Sequence, residues 1–300
     1  MFKTFAEILN ASAAKGPKMI AVAVAQDEAV LTAIDNAKAK GIVNAILIGN
    51  EEEIEKTAQN CNINLGNYQI INIEDKVEAC RRAVELVSTG KAQLLMKGLV
   101  DTSILLKAVL DENIGLRTDN VLSHVAVFNV PDYERLLYIT DSAMNIAPEL
   151  EQKKQIINNA VTVAHALGNA KPLVAVLSAI EKVNPKMQAT LDAVELVRMY
   201  EEGKITGCVV GGPFALDNAI SDEAAKHKNI IHPVAGWADI LVVPTIEAGN
   251  MLYKSMVYFA KAKNAGIIVG AKAPIVLTSR ADSEETKLNS IALGVLMASA

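Results

Sequence analysis

At 300 residues the chain is long for one domain and comfortable for two. Hydrophobic residues make up 51% of it but aromatics only 4%, so the core is built from Ala, Val, Ile and Leu, which suits parallel strands covered by helices better than an aromatic-rich β-sandwich. A net charge of −5 with no basic cluster argues against a nucleic-acid surface, and no apolar run approaches the roughly 20 residues that span a bilayer. Met1 to Ala14 is a mixed amphipathic segment without the apolar core of a signal peptide. Cys61, Cys80 and Cys208 have no short spacing, which predicts a reducing, cytoplasmic setting without a disulfide framework or a zinc site.

In chain order, Met19 to Ala25 predicts a strand, Glu28 to Lys40 a helix stopped by Gly41, and Ile42 to Ile48 a second strand. Asn50 with Glu53 three residues on caps a helix to about Gln59. Strands follow at Gln69 to Ile73 and Gln93 to Met96 with a helix, Lys76 to Ser88, between them, and Thr102 to Leu110 is helical. The pattern then changes. His124 to Asn129 and Arg135 to Ile139 are β-rich runs joined by Val130-Pro131-Asp132, closer to a hairpin or irregular crossover than to a βαβ step. A helix from Pro148 to Leu167, a strand from Leu173 to Leu177, a helix from Pro185 to Tyr200 and strands at Gly207 to Val210 and Ile240 to Val243 come next. A helix from Gly249 to Lys263, a strand at Ile267 to Val269, a strand at Ile275 to Thr278 and a last helix complete the chain, with Asp282 and Glu285 spaced as a capping box.

Four strand-to-helix turns carry polar groups. Lys97 and Gly98 stand where a phosphate or carbonyl oxygen can approach backbone amides, with Thr102 available as an N-cap; a plain turn has the same pattern. Gly211-Gly212-Pro213 allows close backbone approach, and Asp217 after it is either functional or a cap. This second turn has neither dinucleotide nor Walker spacing. Pro244-Thr245-Ile246-Glu247-Ala248-Gly249-Asn250 repeats the design, and Ser279-Arg280 places a hydroxyl and a guanidinium between a strand's carboxyl end and a helix's amino end, where anions bind. Such turns gather on one edge of a parallel sheet. The four histidines show no metal-ligand spacing, and neither a G-x-S-x-G elbow nor a cysteine motif offers a nucleophile.

Several segments together resemble one family, the phosphate acetyl/butyryl transferases. Ala238-Asp239-Ile240-Leu241-Val242-Val243-Pro244, Glu247-Ala248-Gly249-Asn250 and Tyr253-Lys254 are similar to its strand, AGN turn and YK helix. Gly212 to Asp217 matches its GPxxxD element, Thr140 to Asn145 resembles ADCAVN, and Leu277 to Arg280 resembles LSR, all in the family's order. Lys97-Gly98, where the acetyl members carry an SGA-type turn, and Ala281-Asp282-Ser283, where they read GCS, point to the butyryl branch.

The resemblance implies two three-layer αβα domains with mainly parallel sheets, isocitrate/isopropylmalate dehydrogenase-like, with the active site in the interdomain cleft. Residues 1–125 plus 268–300 would form the first domain and residues 126–267 the second, inserted one. It implies reversible acyl transfer between phosphate and butyryl-CoA or a similar short or branched acyl-CoA, by a homodimer or higher homo-oligomer. No tightly bound cofactor and no metal is implied, and coenzyme A is a substrate. Ser279 would donate to the oxyanion and Arg280 would hold phosphate. Asp282 is the nearest carboxylate for the base that the acetyl members place at the position of Thr286. Lys97, Gly98, Thr102, Asp217, Thr245, Glu247, Asn250 and Lys254 are expected to meet substrate. Rival readings are an acetyl-specific transferase, a non-catalytic acyl-CoA-sensing module, and a metal- and NAD-dependent dehydrogenase, which would need a carboxylate cluster absent from the sequence pattern.

Overall fold

A computed structural model describes residues 1–279 and 282–299. Helix α1 (Phe5–Lys15) precedes β1 (Lys18–Ala23), α2 (Glu28–Ala39), β2 (Val43–Gly49), α3 (Glu51–Asn60), β3 (Gln69–Asn72), α4 (Lys76–Ser88), β4 (Leu94–Lys97) and α5 (Thr102–Val109). Then come β5 (Ser123–Asn129), β6 (Leu136–Thr140), α6 (Leu150–Ala166), β7 (Leu173–Leu177), α7 (Gln188–Glu201), β8 (Val209–Phe214), α8 (Leu216–Ile220) and α9 (Asp222–His227). Strand β9 (Ile240–Val242), α10 (Ile246–Tyr258), β10 (Lys263–Val269), β11 (Ile275–Val276) and α11 (Glu284–Met297) follow. The chain forms two compact units, one of Phe5–Asn120 with Ala265–Ala300 and one of Met1–Thr4 with Val121–Asn264.

In the first of these units the strand order is β3-β2-β1-β4-β11-β10. All neighbours are parallel except β10, which runs antiparallel to β11. From β1 the chain steps outward to β2 and β3, then returns through α4 to β4 on the other side of β1. Right-handed crossovers therefore put α2 and α3 on one face and α4 on the other. Asp27, Asn50 and Asp75 start α2, α3 and α4 by accepting the N–H groups of Val30, Glu53, and Val77 with Glu78. The sheet interior is aliphatic, as the composition requires: Ile20 to Ala23, Leu94 to Met96 and Ile275 are wholly enclosed.

The second unit has the order β5-β6-β9-β7-β8. β5 and β6 form an antiparallel hairpin, and β6, β9, β7 and β8 are parallel. Helices α6 and α7 pack together, while Leu252, Tyr253 and Met256 of α10 close a core of Phe128, Leu137, Ile139, Leu177, Phe214 and Leu241.

Four local expectations are corrected. Gly211-Gly212-Pro213 lies inside β8 rather than in a turn after it. A Cβ on Gly211 would stand 2.4 Å from the His232 ring and one on Gly212 2.9 Å from the Val176 carbonyl, so the glycines serve packing within the unit. Helix α10 begins at Ile246, not Gly249, which places Glu247 and Asn250 in its first turns. Strand β11 stops at Val276. The cap of α11 is Ser283, because the Asp282 carboxylate is drawn back to the Ser279 amide.

Gly212→Ala is expected to cost roughly 1–3 kcal/mol by forcing β7 and β8 apart. The midpoint of urea unfolding measures this; an unchanged midpoint would mean that the strands yield freely.

Candidate active site

Three parallel strands of the first unit, β1, β4 and β11, lie side by side and end on one edge: Ala23 pairs with Lys97, and Met96 with Val276. The strand order reverses between β1 and β4, the position where open α/β sheets leave a crevice. Val24, just past β1, is left-handed at φ 57°, a costly conformation for a β-branched residue. It turns the carbonyls of Ala23 and Val24 onto the amides of Gly98 (2.8 Å) and Leu99 (2.7 Å). A Cβ at position 98 would come within 2.1 Å of the Val24 oxygen, so only glycine fits. Lys97 is 5% exposed, and its ammonium donates to the carbonyls of Gly98 (3.1 Å) and Val100 (3.2 Å) in the same loop. Thr102 is the first residue of α5 rather than its cap, a position taken by Asp101.

Beyond β11, Thr278 is buried and Ser279 is exposed. The Ser279 amide donates to Asp282 Oδ2 at 2.6 Å, and the Asp282 amide returns a bond to the Ser279 carbonyl at 3.1 Å. A carboxylate oxygen thus occupies the Ser279 amide. That amide is directed at negative charge, and a proton acceptor stands beside it. Thr286, in the place of the acetyl members' base, is buried in the first turn of α11, where its amide and hydroxyl meet Ser283 Oγ at 3.2 and 3.1 Å. Lys287 next to it donates to the carbonyls of Ser279 (3.2 Å) and Asp282 (2.7 Å). Arg280 lies outside the described residues.

In the second unit the loop after β6 is organised by Asp141. Its carboxylate accepts the amides of Ala143 (2.9 Å), Met144 (3.0 Å) and Asn145 (3.2 Å), and the Asn145 side chain at 2.6 Å. Ser142 Oγ and His124 Nδ1 share a hydrogen bond of 2.9 Å beneath it. Gly249 lets α10 approach, since a Cβ there would lie 2.6 Å from the Asp141 carbonyl. Asn250 donates to the Ser142 carbonyl at 3.4 Å. Asn250 is therefore gathered with Asp141 and Ser142, Thr245 and Glu247 stand at the start of the same helix, and Lys254 is exposed one turn further on. The Glu247 carboxyl is held below the ordinary carboxylate range by its own N–H and by the Thr245 hydroxyl. Thr245 also borders an open pocket of about 910 Å³ whose wall contains the buried Lys153–Asp192 ion pair (2.5 Å). Asp217 stands apart from this group: it pairs with Lys228 at 3.1 Å, and that ammonium lowers its carboxyl.

Burial pushes the thiols of Cys80 and Cys208 up to about 11, with the Lys97 charge pulling against the shift at Cys80. Both stay protonated at neutral pH and offer no thiolate. Among the described residues no group of three or more His, Cys, Asp or Glu is arranged to hold a metal ion, and no helix is long and apolar enough to cross a membrane. Two functional candidates were not selected from the sequence. The Ser142–His124 pair is joined only by the tertiary fold. Lys287 had a signal, since it lies four residues before Ile291 and eight before Val295, on the apolar face of α11.

The sequence matches the family described as "Phosphate acetyl/butaryl transferase" over residues 4–82 and 75–295. It is 52% identical over 298 residues to a phosphate butyryltransferase of Clostridium beijerinckii, covering 99% of each chain. It is 49% identical to a phosphate acetyltransferase of Thermotoga maritima, covering 97% of this chain and 99% of that protein. Among solved structures, a branched-chain phosphotransacylase from Enterococcus faecalis superimposes with a TM-score of 0.84 at 36% identity, covering 94% of this chain and 99% of that one.

Two measurements check this geometry. Ellman titration of the native chain at pH 8 is expected to find Cys61 reactive and Cys80 and Cys208 silent until denaturant is added; three fast thiols in the native protein would contradict their burial. Gly98→Ala is expected to destabilise the fold by roughly 1–3 kcal/mol, read from thermal unfolding.

Proposed function

The chain belongs to the phosphate acetyl/butyryl transferase family, and we propose that it is of the butyryl type, moving a butyryl or similar short acyl group reversibly between coenzyme A and inorganic phosphate. The full-length similarity to a phosphate butyryltransferase carries this reading. In the direction of acyl phosphate synthesis, a phosphate oxygen attacks the thioester carbon, the carbonyl oxygen takes the negative charge, and the CoA thiolate leaves as the carbonyl re-forms. In the other direction the CoA thiol must lose its proton, since a free thiol near pKa 8.5 is only a few per cent ionised at neutral pH.

Ser279 donates to the oxyanion through its hydroxyl; one such donor is typically worth roughly 3 kcal/mol of barrier. Asp282, in hydrogen-bond contact with the Ser279 amide, accepts the thiol proton. Arg280 and Lys97 hold phosphate, and the groups around Thr245, Glu247, Asn250 and Lys254 serve CoA. Transfer is direct, without an acyl-enzyme, in keeping with the protonated state of Cys80 and Cys208. The same reading takes the protein as a cytoplasmic homodimer or higher homo-oligomer, built from two αβα domains of the isocitrate/isopropylmalate dehydrogenase-like type, with no tightly bound cofactor. Acetyl transfer is the second reading, favoured by the similarity to the Thermotoga maritima acetyltransferase.

The direct test follows CoA release from acetyl-, propionyl-, butyryl- and branched-chain acyl-CoA with and without phosphate. Butyryl-CoA is expected to be preferred over acetyl-CoA by at least about tenfold, because each added methylene is worth about 1–3 kcal/mol in a fitted pocket. Release that ignores phosphate would overturn the reading. Asp282→Asn is expected to slow acyl transfer to CoA about 100-fold or more. If the rate survives, the base lies elsewhere.

A further inference from the structure

His124 of β5 is 5% exposed, and Ser142, in the loop after β6, is 1% exposed. Polar side chains held so far from water need partners, and the 2.9 Å bond between His124 Nδ1 and Ser142 Oγ supplies one to each. Leucine and alanine would fill the same space without that demand. The pair is tied twice to α10, the helix that carries Asn250 and Lys254. The His124 ring meets the Tyr253 ring edge-on, with centroids 6.1 Å apart. Ser142 lies so close to the helix that a Cβ at Gly249 would stand 2.9 Å from its Cα, and its carbonyl accepts the Asn250 side chain at 3.4 Å.

The direction of that carbonyl is fixed. It shares a peptide group with Ala143, whose N–H donates to Asp141 Oδ1 at 2.9 Å. In a trans peptide the C=O points opposite to the N–H, here away from the Asp141 carboxylate and onto Asn250. A carboxamide set against a carbonyl can offer only its NH2 end. Asn250 therefore keeps Oδ1 as an acceptor; the side chain is exposed, and among the described residues nothing donates to that oxygen. Inorganic phosphate has no N–H group to give it. Coenzyme A has amide N–H groups in its pantetheine arm and an amino group on its adenine.

We propose that Asn250 accepts an N–H of coenzyme A through Oδ1, and that His124 is a positioning residue for it. His124 holds Ser142 so that the Ser142 carbonyl keeps the carboxamide the right way round. This inference rests on the reading of α10 as serving CoA in a phosphate-dependent transferase. A purely structural histidine would affect both substrates, or neither.

The experiment measures CoA binding by calorimetry and the KM for phosphate in wild type, His124→Leu, His124→Asn, Asn250→Ala and the double variant His124→Leu with Asn250→Ala. Asparagine puts an amide in the place of Nδ1 and retains the bond to Ser142, whereas leucine loses it. His124→Leu and Asn250→Ala are each expected to weaken CoA binding about five- to tenfold, the scale of one hydrogen bond, with the KM for phosphate changed less than about twofold. His124→Asn is expected to bind CoA as wild type does. The double variant is expected to bind no worse than Asn250→Ala, because the histidine acts through that residue. Should His124→Leu fail to fold, Ser142→Ala, which removes only the hydroxyl, takes its place in the cycle. Losses that multiply in the double variant, a matching rise in the phosphate KM, or His124→Asn as impaired as His124→Leu would each overturn the proposal. Wild type separates the two claims. No phosphate-dependent CoA release by wild type fails the transferase reading, whereas wild-type turnover with unaltered CoA binding in Asn250→Ala fails only this inference.

Discussion

The site depends on one constraint of the first unit: β1, β4 and β11 run parallel as neighbours and end on a common edge, with the strand order reversing between β1 and β4. Hydrogen bonding between strands then brings residues from three distant parts of the sequence to one place. Lys97 is fixed opposite Ala23, and the turn carrying Ser279 follows a strand held in register with Met96. The left-handed Val24 closes this arrangement, because its carbonyl and that of Ala23 take the amides of the Lys97-Gly98 loop. Such strain persists only where the surroundings over-determine it, and here the bonds to Gly98 and Leu99 do so.

Charge is the second theme of the edge. Lys97 and Lys287 are both almost wholly enclosed, and each donates to two backbone carbonyls of the loop it supports. The oxygen of Asp282 on the Ser279 amide marks a point on this edge where negative charge is accepted. Acyl transfer to or from phosphate develops negative charge at the carbonyl oxygen while a phosphate anion is held nearby, which is the charge distribution this edge favours.

Much of this was legible in the sequence because the signals are local. Asn50 with Glu53 reads as a cap and is one, and the two β-rich runs around Pro131 form a hairpin. The failures arise where tertiary contact decides between local alternatives. Asp282 and Ser283 are both good caps, and the bond from the Ser279 amide to Asp282 leaves the task to Ser283. Gly211 and Gly212 resemble a ligand-binding turn, yet it is the proximity of His232 and Val176 that demands them. Ser142 and His124 are 18 residues apart, so nothing in their spacing announces a shared hydrogen bond. Lys287 is the instructive case, since its place on an apolar helical stripe was visible and only the charge concealed it.

The central proposal is that Lys97 and Ser279, brought to adjacent strand ends, serve one reaction, Lys97 at the bound phosphate and Ser279 at the oxyanion that develops on the acyl carbonyl. A double-mutant cycle of Lys97→Met and Ser279→Ala, measured as kcat/KM for phosphate with butyryl-CoA, tests it most directly. The account predicts a coupling of about 1 kcal/mol or more between the two losses. Losses that add to within about 0.3–0.5 kcal/mol would mean that the two side chains act independently, and would contradict it.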